Sequence, residues 1–514
     1  MFVRIFLIRF VLSSVHCAKI LGVFMASSYS HQNMFRPIWQ ELALRGHQVT
    51  IYTTFPLKNE SLTNLTEYDF GFCIRLKEER MNFDLPNRFS DIFEAIDIMK
   101  DIGEVQLQHP FMIDLIHNVR NESYDLMLVE HHWQTYFALK DVYKTPMVGI
   151  ISFPLTITTM DGIGLERHPY IEPDMLLRFS EPNSFIRRLA SWSFNWAFRF
   201  FYNFYFRTIF DDQIRRHFGN TSRTSYELSR EFSLLIGQSN NALDNSVASA
   251  RNFIPVSSVH VRPKKALPQD LASFLNKTKN DVIYFSLGTN VKMSKIAPEA
   301  RKKIFNVLGS LPYTILWKYD KDIVPEDTPK NFYMRLWYPQ QDVLAHPKVK
   351  LFITQGGLQS IDEALDRKVP MLIIPIFGDQ PNNADRCVSK KIAEKIDIQT
   401  FTKEELRSKI LQLIDGPIYR EHIEKQFAIA NDQPMSGLDT AIFWIEYVIR
   451  HKGAPHLRSP LLDLPFYQYY LLDIYSFLGV AIAVILAVIY FTMKFTLLTV
   501  CKLLNKSSAK QKLS

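Results

Sequence analysis

The chain has 514 residues, 47% hydrophobic and 22% charged, a composition that suits folded domains with a sizeable core and excludes a disordered or collagen-like polymer. Four cysteines exclude a disulfide scaffold. Of the 60 basic residues, two lie in 1–17 and five in 494–514, which leaves 53 against all 52 acids; the folded part is nearly neutral and has no global field to attract a polyanion.

Residues 1–17 read as a signal peptide. Arg4 and Arg9 sit around an apolar run, Phe2 to Leu12, too short to span a bilayer, and Ser13, Ser14 and Cys17 follow. Ile20–Ala26 is a predicted strand, Ser27–Asn33 a polar loop, Met34–Arg45 a helix and Gln48–Thr54 a second strand, which together make a β-loop-α-β unit. Tyr124–Glu130 and Pro146–Phe153 are two more strands. Ser184–Phe210 breaks this grammar: it is crowded with Phe, Trp and Tyr, interleaved with Arg187, Arg188, Arg199 and Arg207. It reads either as a membrane-interface segment or as an aromatic helix pair packed on the first half. Pro263, Pro268 and a basic pair mark a join at Arg262–Leu267. The second half repeats the pattern with strands at Asp281–Ser286, Tyr313–Tyr319, Lys350–Thr354 and Pro370–Ile376, and Thr402 to Glu405 has capping-box spacing. Continuous apolar strands alternating with helices predict parallel sheets covered on both faces.

Ile474–Met493 is a run of 20 residues without charge, between Asp473 and Lys494. At 1.5 Å per residue it reaches roughly 30 Å, the thickness of a hydrocarbon core. The tail 494–514 holds lysines and no acid, which by the positive-inside rule puts it in the cytosol and the body in the lumen. The sequons at Asn59, Asn64, Asn121, Asn220 and Asn276 fit a lumenal body, and Asn505 falls on the other side. Lys510 and Lys512 resemble a dilysine retrieval signal of the endoplasmic reticulum membrane. The expected organisation is a signal peptide 1–17, domains 18–262 and 268–452, a return segment 453–473, a transmembrane helix 474–493 and a tail 494–514. Cys73 and Cys387 would be the lumenal cysteines, and the sequence leaves their pairing open.

The chemistry concentrates at 337–380. Parallel sheets bind ligands beyond the carboxyl ends of their strands. Lys350–Thr354 ends in Gln355-Gly356-Gly357 and a helix begins there, so free N–H groups and roughly half a positive charge face an anion such as a diphosphate. Glu363, just over one turn along, can accept both hydroxyl hydrogens of a ribose. The indole of Trp337 can stack a flat base. Asp379 and Gln380 follow the next strand, where a carboxylate and an amide can bond sugar hydroxyls. Asp320-Lys-Asp322 has a spacing used elsewhere for metal-bound nucleotides, but lies in a charged stretch that reads as a solvated loop. His31 occupies the loop after the first strand, where a side chain enters the cleft, and His131 and His132, being adjacent, point different ways and read as structural.

Phe352 to Ser360, Asp362-Glu363, Pro370 to Pro375 and Asp379-Gln380 resemble the signature of the UDP-glycosyltransferase family, which includes the membrane-bound UDP-glucuronosyltransferases. The resemblance extends to Ser30-His31, Phe285 to Gly288 and both termini. It implies an α/β GT-B fold, two facing Rossmann-like domains, here with one C-terminal transmembrane helix. It implies that Trp337 stacks on uracil, that Gln340 and Glu363 hold the ribose, and that Ser286 and the turn Gln355, Gly356, Gly357, Gln359 and Ser360 bind the diphosphate. Asp379 and Gln380 would bind the sugar, His31 would be the base and Glu130 its orienting carboxylate. Family members commonly carry His where this chain has Gln355, and the Gln form resembles the arthropod branch, whose usual donor is UDP-glucose. The implied activity is inverting transfer of a hexose, with glucose expected, from a UDP-sugar to a hydroxyl of a small lipophilic acceptor, without metal or other cofactor. Transfer of glucuronate and a non-catalytic carrier of lipophilic ligands are the alternatives, and a homo-oligomer is left open.

Overall fold

The computed structural model describes residues 17–80, 90–118, 122–165, 168, 174, 176–177, 184–220, 222–244, 249–289, 291–293, 296–319 and 328–511. The signal peptide up to residue 16, Asn121 and the Asp320/Asp322 pair lie outside them. The chain divides into two units, Met1–Ser459 and Pro460–Ser514.

The first unit holds two sheets. Seven strands form the first: β1 (Lys19–Phe24), β2 (Gln48–Thr53), β3 (Leu65–Asp69), β4 (Leu126–Glu130), β5 (Met147–Ile151), β6 (Phe232–Gln238) and β7 (Phe253–Val256), in the order β3-β2-β1-β4-β5-β6-β7. Six form the second: β8 (Val282–Ser286), β9 (Thr314–Lys318), β10 (Phe332–Arg335), β11 (Val349–Thr354), β12 (Met371–Ile373) and β13 (Ala393–Lys395), in the order β10-β9-β8-β11-β12-β13. Every pairing in both is parallel. Central strands such as Leu-Met-Leu-Val-Glu of β4 are buried at every position, because helices cover both faces. β6 is also buried throughout, and it, β3, β7 and β13 are strands beyond those predicted from sequence. Strand order reverses between β1 and β4 and between β8 and β11, which puts a crevice at the carboxyl ends of those four strands.

Helix α1 spans Tyr29–Leu44, starting five residues before the expected helix, so His31 lies in its first turn and not in a loop. Helix α2 (Phe185–Phe201) runs through a π turn, Tyr202–Phe206, into the helix Arg207–Phe218. Residues 257–268 carry neither helix nor strand and lead from β7 towards the second lobe, where α3 (Leu358–Asp366) follows β11 and α4 (Gln380–Ser389) follows β12.

The expected domain end at 452 does not match the packing. Helix α5 (Gly437–Arg450) buries Ala441, Ile442, Ile445 and Val448 in one core with Ile38 and Leu42 of α1, so it returns to the first lobe. Gly437 permits that approach, since a Cβ there would collide with the carbonyl of Ser257.

The second unit contains α6 (Leu472–Gln511), whose stretch Leu472–Leu503 is long and apolar enough to cross a membrane and buries none of its residues. That stretch is 32 residues, longer than the expected 474–493, because Phe495, Leu497, Leu498, Val500 and Leu503 continue the apolar surface past Lys494.

Candidate active site

The four strand ends at the two crevices bring together several of the expected site residues. β1 leads into the turn of α1 that holds His31, and β4 ends in Glu130. His31 Nδ1 lies 2.8 Å from Glu130 Oε1, with the imidazole 28% exposed and the carboxylate 2%. Glu130 Oε2 accepts from the Ala26 N–H at 3.0 Å, which fixes the carboxylate. An acceptor on Nδ1 sets the tautomer: Nδ1 carries the hydrogen and Nε2 keeps its lone pair. Phe153, 5.4 Å away between ring centroids, forms a wall beside the imidazole. A cavity of about 740 Å³ runs between the lobes, with His31 on one side and Asp379 on the other. Burial raises the pKa of Asp379, opposed by its Asn383 hydrogen bond and by the nearby charge of His31.

β11 ends at the Gly-Gly turn. Gly356 has φ +85° and a Cβ there would meet Ile373 at 2.6 Å, so this position needs glycine. Asn383 of α4 donates to the Gly356 carbonyl at 3.0 Å and to Asp379 at 2.7 Å, tying the turn to that carboxylate. Gln380 Oε1 accepts from the backbone of Ile376 and Phe377 at 2.8 and 3.1 Å. Glu363, also buried, accepts from Gln340 Nε2 at 2.7 Å and Gln341 Nε2 at 3.1 Å. Gln340 also reaches Ser360 Oγ at 3.0 Å. His260 Nε2 stands 3.5 Å from Glu363. Burial lowers the His260 pKa, but the bond to Glu363 and the charges of Glu363 and Asp362 outweigh it and leave the group raised. Trp337 is half exposed; Tyr29 of α1 meets it edge-on at 5.2 Å and the Lys318 ammonium sits 4.7 Å over its ring. Lys318 also donates to the Gly288 carbonyl at 2.7 Å, beside Ser286 at the end of β8.

Comparison with known proteins agrees with this geometry. Residues 18–510 match the family described as UDP-glucoronosyl and UDP-glucosyl transferase. The chain belongs to the UDP-glycosyltransferase family. UDP-glycosyltransferase UGT5 of Dactylopius coccus is 32% identical over 508 residues, 96% of this chain and 95% of that protein. UDP-glucuronosyltransferase 2B9 of Macaca fascicularis is 30% identical over 511 residues, 94% of each. Among solved structures, glycosyltransferase VinC in complex with DTDP has TM-score 0.56 at 15% identity, covering 84% of this chain and all of that one. The kitacinnamycin glycotransferase has TM-score 0.57 at 18% identity, covering 85% and 100%. The fold is GT-B, and the protein is a glycosyltransferase enzyme.

In this UDP-glycosyltransferase the cleft gathers His31, Ser286, Trp337, Gln340, Gln355, Gly357, Ser360, Glu363, Asp379 and Gln380. Gln359 also lines the cleft, and its amide donates to the Ser152 carbonyl at 2.9 Å and to Gln238 Oε1 at 3.0 Å, both in the first lobe. The Gln340 amide supports Glu363 and Ser360 before it meets any ligand. His131 is buried against Phe137 and Phe232, with its pKa pushed by burial down to about 3, and His132 is half-buried. Of the sequons, Asn59, Asn220 and Asn276 are exposed. Asn64 is a correction: both its amide hydrogens go to backbone carbonyls, Ala43 and His47 at 2.7 Å each, and a sugar would displace them. Cys73 and Cys387 are both buried free thiols. Sequence reasoning missed Tyr29, Arg36, His260, Gln341, Lys318 and Asn383. A signal existed for two of these: Tyr29, Asn33, Arg36 and Gln40 recur at helical spacing along the face of α1 that lines the cleft.

Proposed function

We propose that this UDP-glycosyltransferase transfers glucose from UDP-glucose to a hydroxyl of a small lipophilic acceptor, with inversion and without metal. His31 Nε2 takes the acceptor proton as that oxygen attacks the anomeric carbon, and Glu130 stabilises the imidazolium. The bond from the anomeric carbon to the β-phosphate oxygen breaks, UDP leaves, and the N–H groups at the start of α3 stabilise its charge. The observation that carries this reading is the His31–Glu130 pair placed across the cleft from Asp379.

The donor follows from charge. Glucuronate brings a carboxylate that needs a cation when desolvated. Among the described residues, the lysines and arginines lining the cleft are Arg36, Arg262, Lys265 and Lys318. Arg36 and Arg262 act on Tyr29, beside Trp337, and Arg262 is paired bidentately with Asp342. Lys265 binds Asp342 through its backbone, and Lys318 sits over Trp337. Arg386, whose charge reaches Asp379, is held by Asp244 at 2.7 Å. Of these cations, Lys318 stands over Trp337, and Arg262 and Arg386 are held by Asp342 and Asp244. The measurement is kcat/KM for UDP-glucose and UDP-glucuronate with one phenolic acceptor. UDP-glucose should win by at least about tenfold, the equivalent of about 1.4 kcal/mol. An advantage for UDP-glucuronate would overturn the assignment.

The protein is anchored by α6 in the endoplasmic reticulum membrane with its catalytic body in the lumen and the tail in the cytosol. Contact of the outer face of α2 with a membrane surface is supported by exposed Phe185, Ile186, Leu189, Trp192 and Phe200 beside Arg187 and Arg188.

A further inference from the structure

Asp362 adjoins Glu363 on α3, is buried, and makes its bonds in the other lobe. Its Oδ2 accepts from Gln238 Nε2 at 2.8 Å and from the Ser258 N–H at 3.2 Å, and its Oδ1 accepts from Asn240 Nδ2 at 2.9 Å. Gln238 closes β6, Asn240 follows it, and Ser258 follows β7.

The direction of each of these bonds is set by backbone. The Ala242 N–H donates to Asn240 Oδ1 at 3.0 Å, which turns Nδ2 towards Asp362. The Ser152 carbonyl accepts from Gln359 Nε2, which also donates to Gln238 Oε1, and this turns Gln238 Nε2 towards Asp362. The Ser258 N–H can only donate. Three donors therefore converge on this side chain, and only a group that accepts on both oxygens satisfies them. A carboxylate does so; an amide would set its own NH₂ against a donor in a buried place.

This seam joins the two halves of the reaction site. On one side is α3, whose start carries the Gly-Gly turn and whose next residue is Glu363. On the other is the end of β5, where Ser152 precedes Phe153, the wall beside His31. We propose that Asp362 is a positioning residue: its carboxylate, locked by Gln238, Asn240 and Ser258, fixes the donor-binding helix against the lobe that carries the base. The proposal rests on the transferase reading, because it assigns α3 to the nucleotide.

The test uses full-length protein in detergent or nanodiscs, with UDP affinity, kcat and KM for UDP-glucose, KM for a phenolic acceptor, and thermal midpoint as readouts. Asp362→Asn should weaken UDP affinity and raise the donor KM by about ten- to a hundredfold, the scale of a lost buried bond to a charged group, with the acceptor KM little changed. Combining Asp362→Asn with Gln238→Glu moves the carboxylate across the seam, where it accepts from Gln359 and from the new amide, and should recover part of the UDP affinity, the Ser258 N–H still facing the amide NH₂. A fallen midpoint with unchanged UDP affinity would reduce the seam to a structural contact and overturn the proposal. So would a double variant that recovers the midpoint but not the affinity. A wild-type protein that neither binds UDP nor turns over any UDP-sugar would fell the transferase reading itself, whereas active wild type with an indifferent Asp362→Asn fells only the seam.

Discussion

His31 and Glu130 stand 99 positions apart in the chain and meet at 2.8 Å because β1 and β4 are neighbours at the reversal of strand order. The pair makes a sharp prediction. His31→Ala should lose about 10²–10⁴-fold in kcat, the usual worth of a general base, while UDP affinity holds, since the groups gathered around the Gly-Gly turn lie in the other lobe. Glu130→Gln should lose comparably. Its carbonyl oxygen would take the Ala26 N–H and its NH₂ would face Nδ1, which forces the imidazole hydrogen to Nε2 and removes the lone pair from the cleft. Single-turnover rates and UDP titrations on both variants check this; near-normal turnover in either would remove the pair from the mechanism. The residue types here were readable, since Gly356, Glu363 and Asp379 follow strand ends in sequence. Most of their hydrogen bonds were not, because Asn383 reaches Gly356, and Gln341 and His260 reach Glu363, only through folding.

Helix α2 exposes large apolar side chains and buries two polar ones. Ser191 and Asn195 are its buried positions, while Phe185, Ile186, Leu189, Trp192, Phe200 and Phe201 are exposed. Arg199 pairs with Asp161 at 2.9 and 3.0 Å and so holds the polar side inward. The sequence offered two readings of this segment: its inner side packs on the lobe through Arg199 and Asp161, and the bilayer contact of its outer side is the proposal. In vesicles containing brominated lipid, the full-length protein should show quenched tryptophan emission, and Trp192→Phe should remove a measurable share of that quenching. Equal quenching in both proteins would place this face away from lipid. Helix α5 teaches the complementary lesson. The spacing of Ala441, Ile442, Ile445 and Val448 marks a helix with one apolar face, but nothing in it says that the face returns across the molecule to α1.

At the scale of the whole molecule, the apolar stretch Leu472–Leu503 and the basic tail support the proposed topology. Protease added to intact microsomes should trim only a short tail, and opening the vesicles should expose the rest. Digestion of the body in sealed vesicles would reverse the orientation. The same scale explains the cleft. Each sheet alone offers one crevice, and the site needs both, with Tyr29 of one lobe against Trp337 of the other and Gln359 reaching Ser152.

The sequence by itself determined the two runs of buried parallel strands, the glycine turn with the helix after it, the family signature and the membrane-length segment. Each is local: a period, a composition or a spacing within some 40 residues. Tertiary structure alone decided which histidine nitrogen faces the cleft, which lobe takes α5, that the Asn64 amide is committed to backbone, and that Gln359 and Asp362 join the lobes. Those outcomes depend on directional bonds between groups on different elements, 17 to 124 residues apart, or on which of two faces a neighbour covers. Hydrophobic periodicity carries no information about either, because it records that a side chain is buried and not against what.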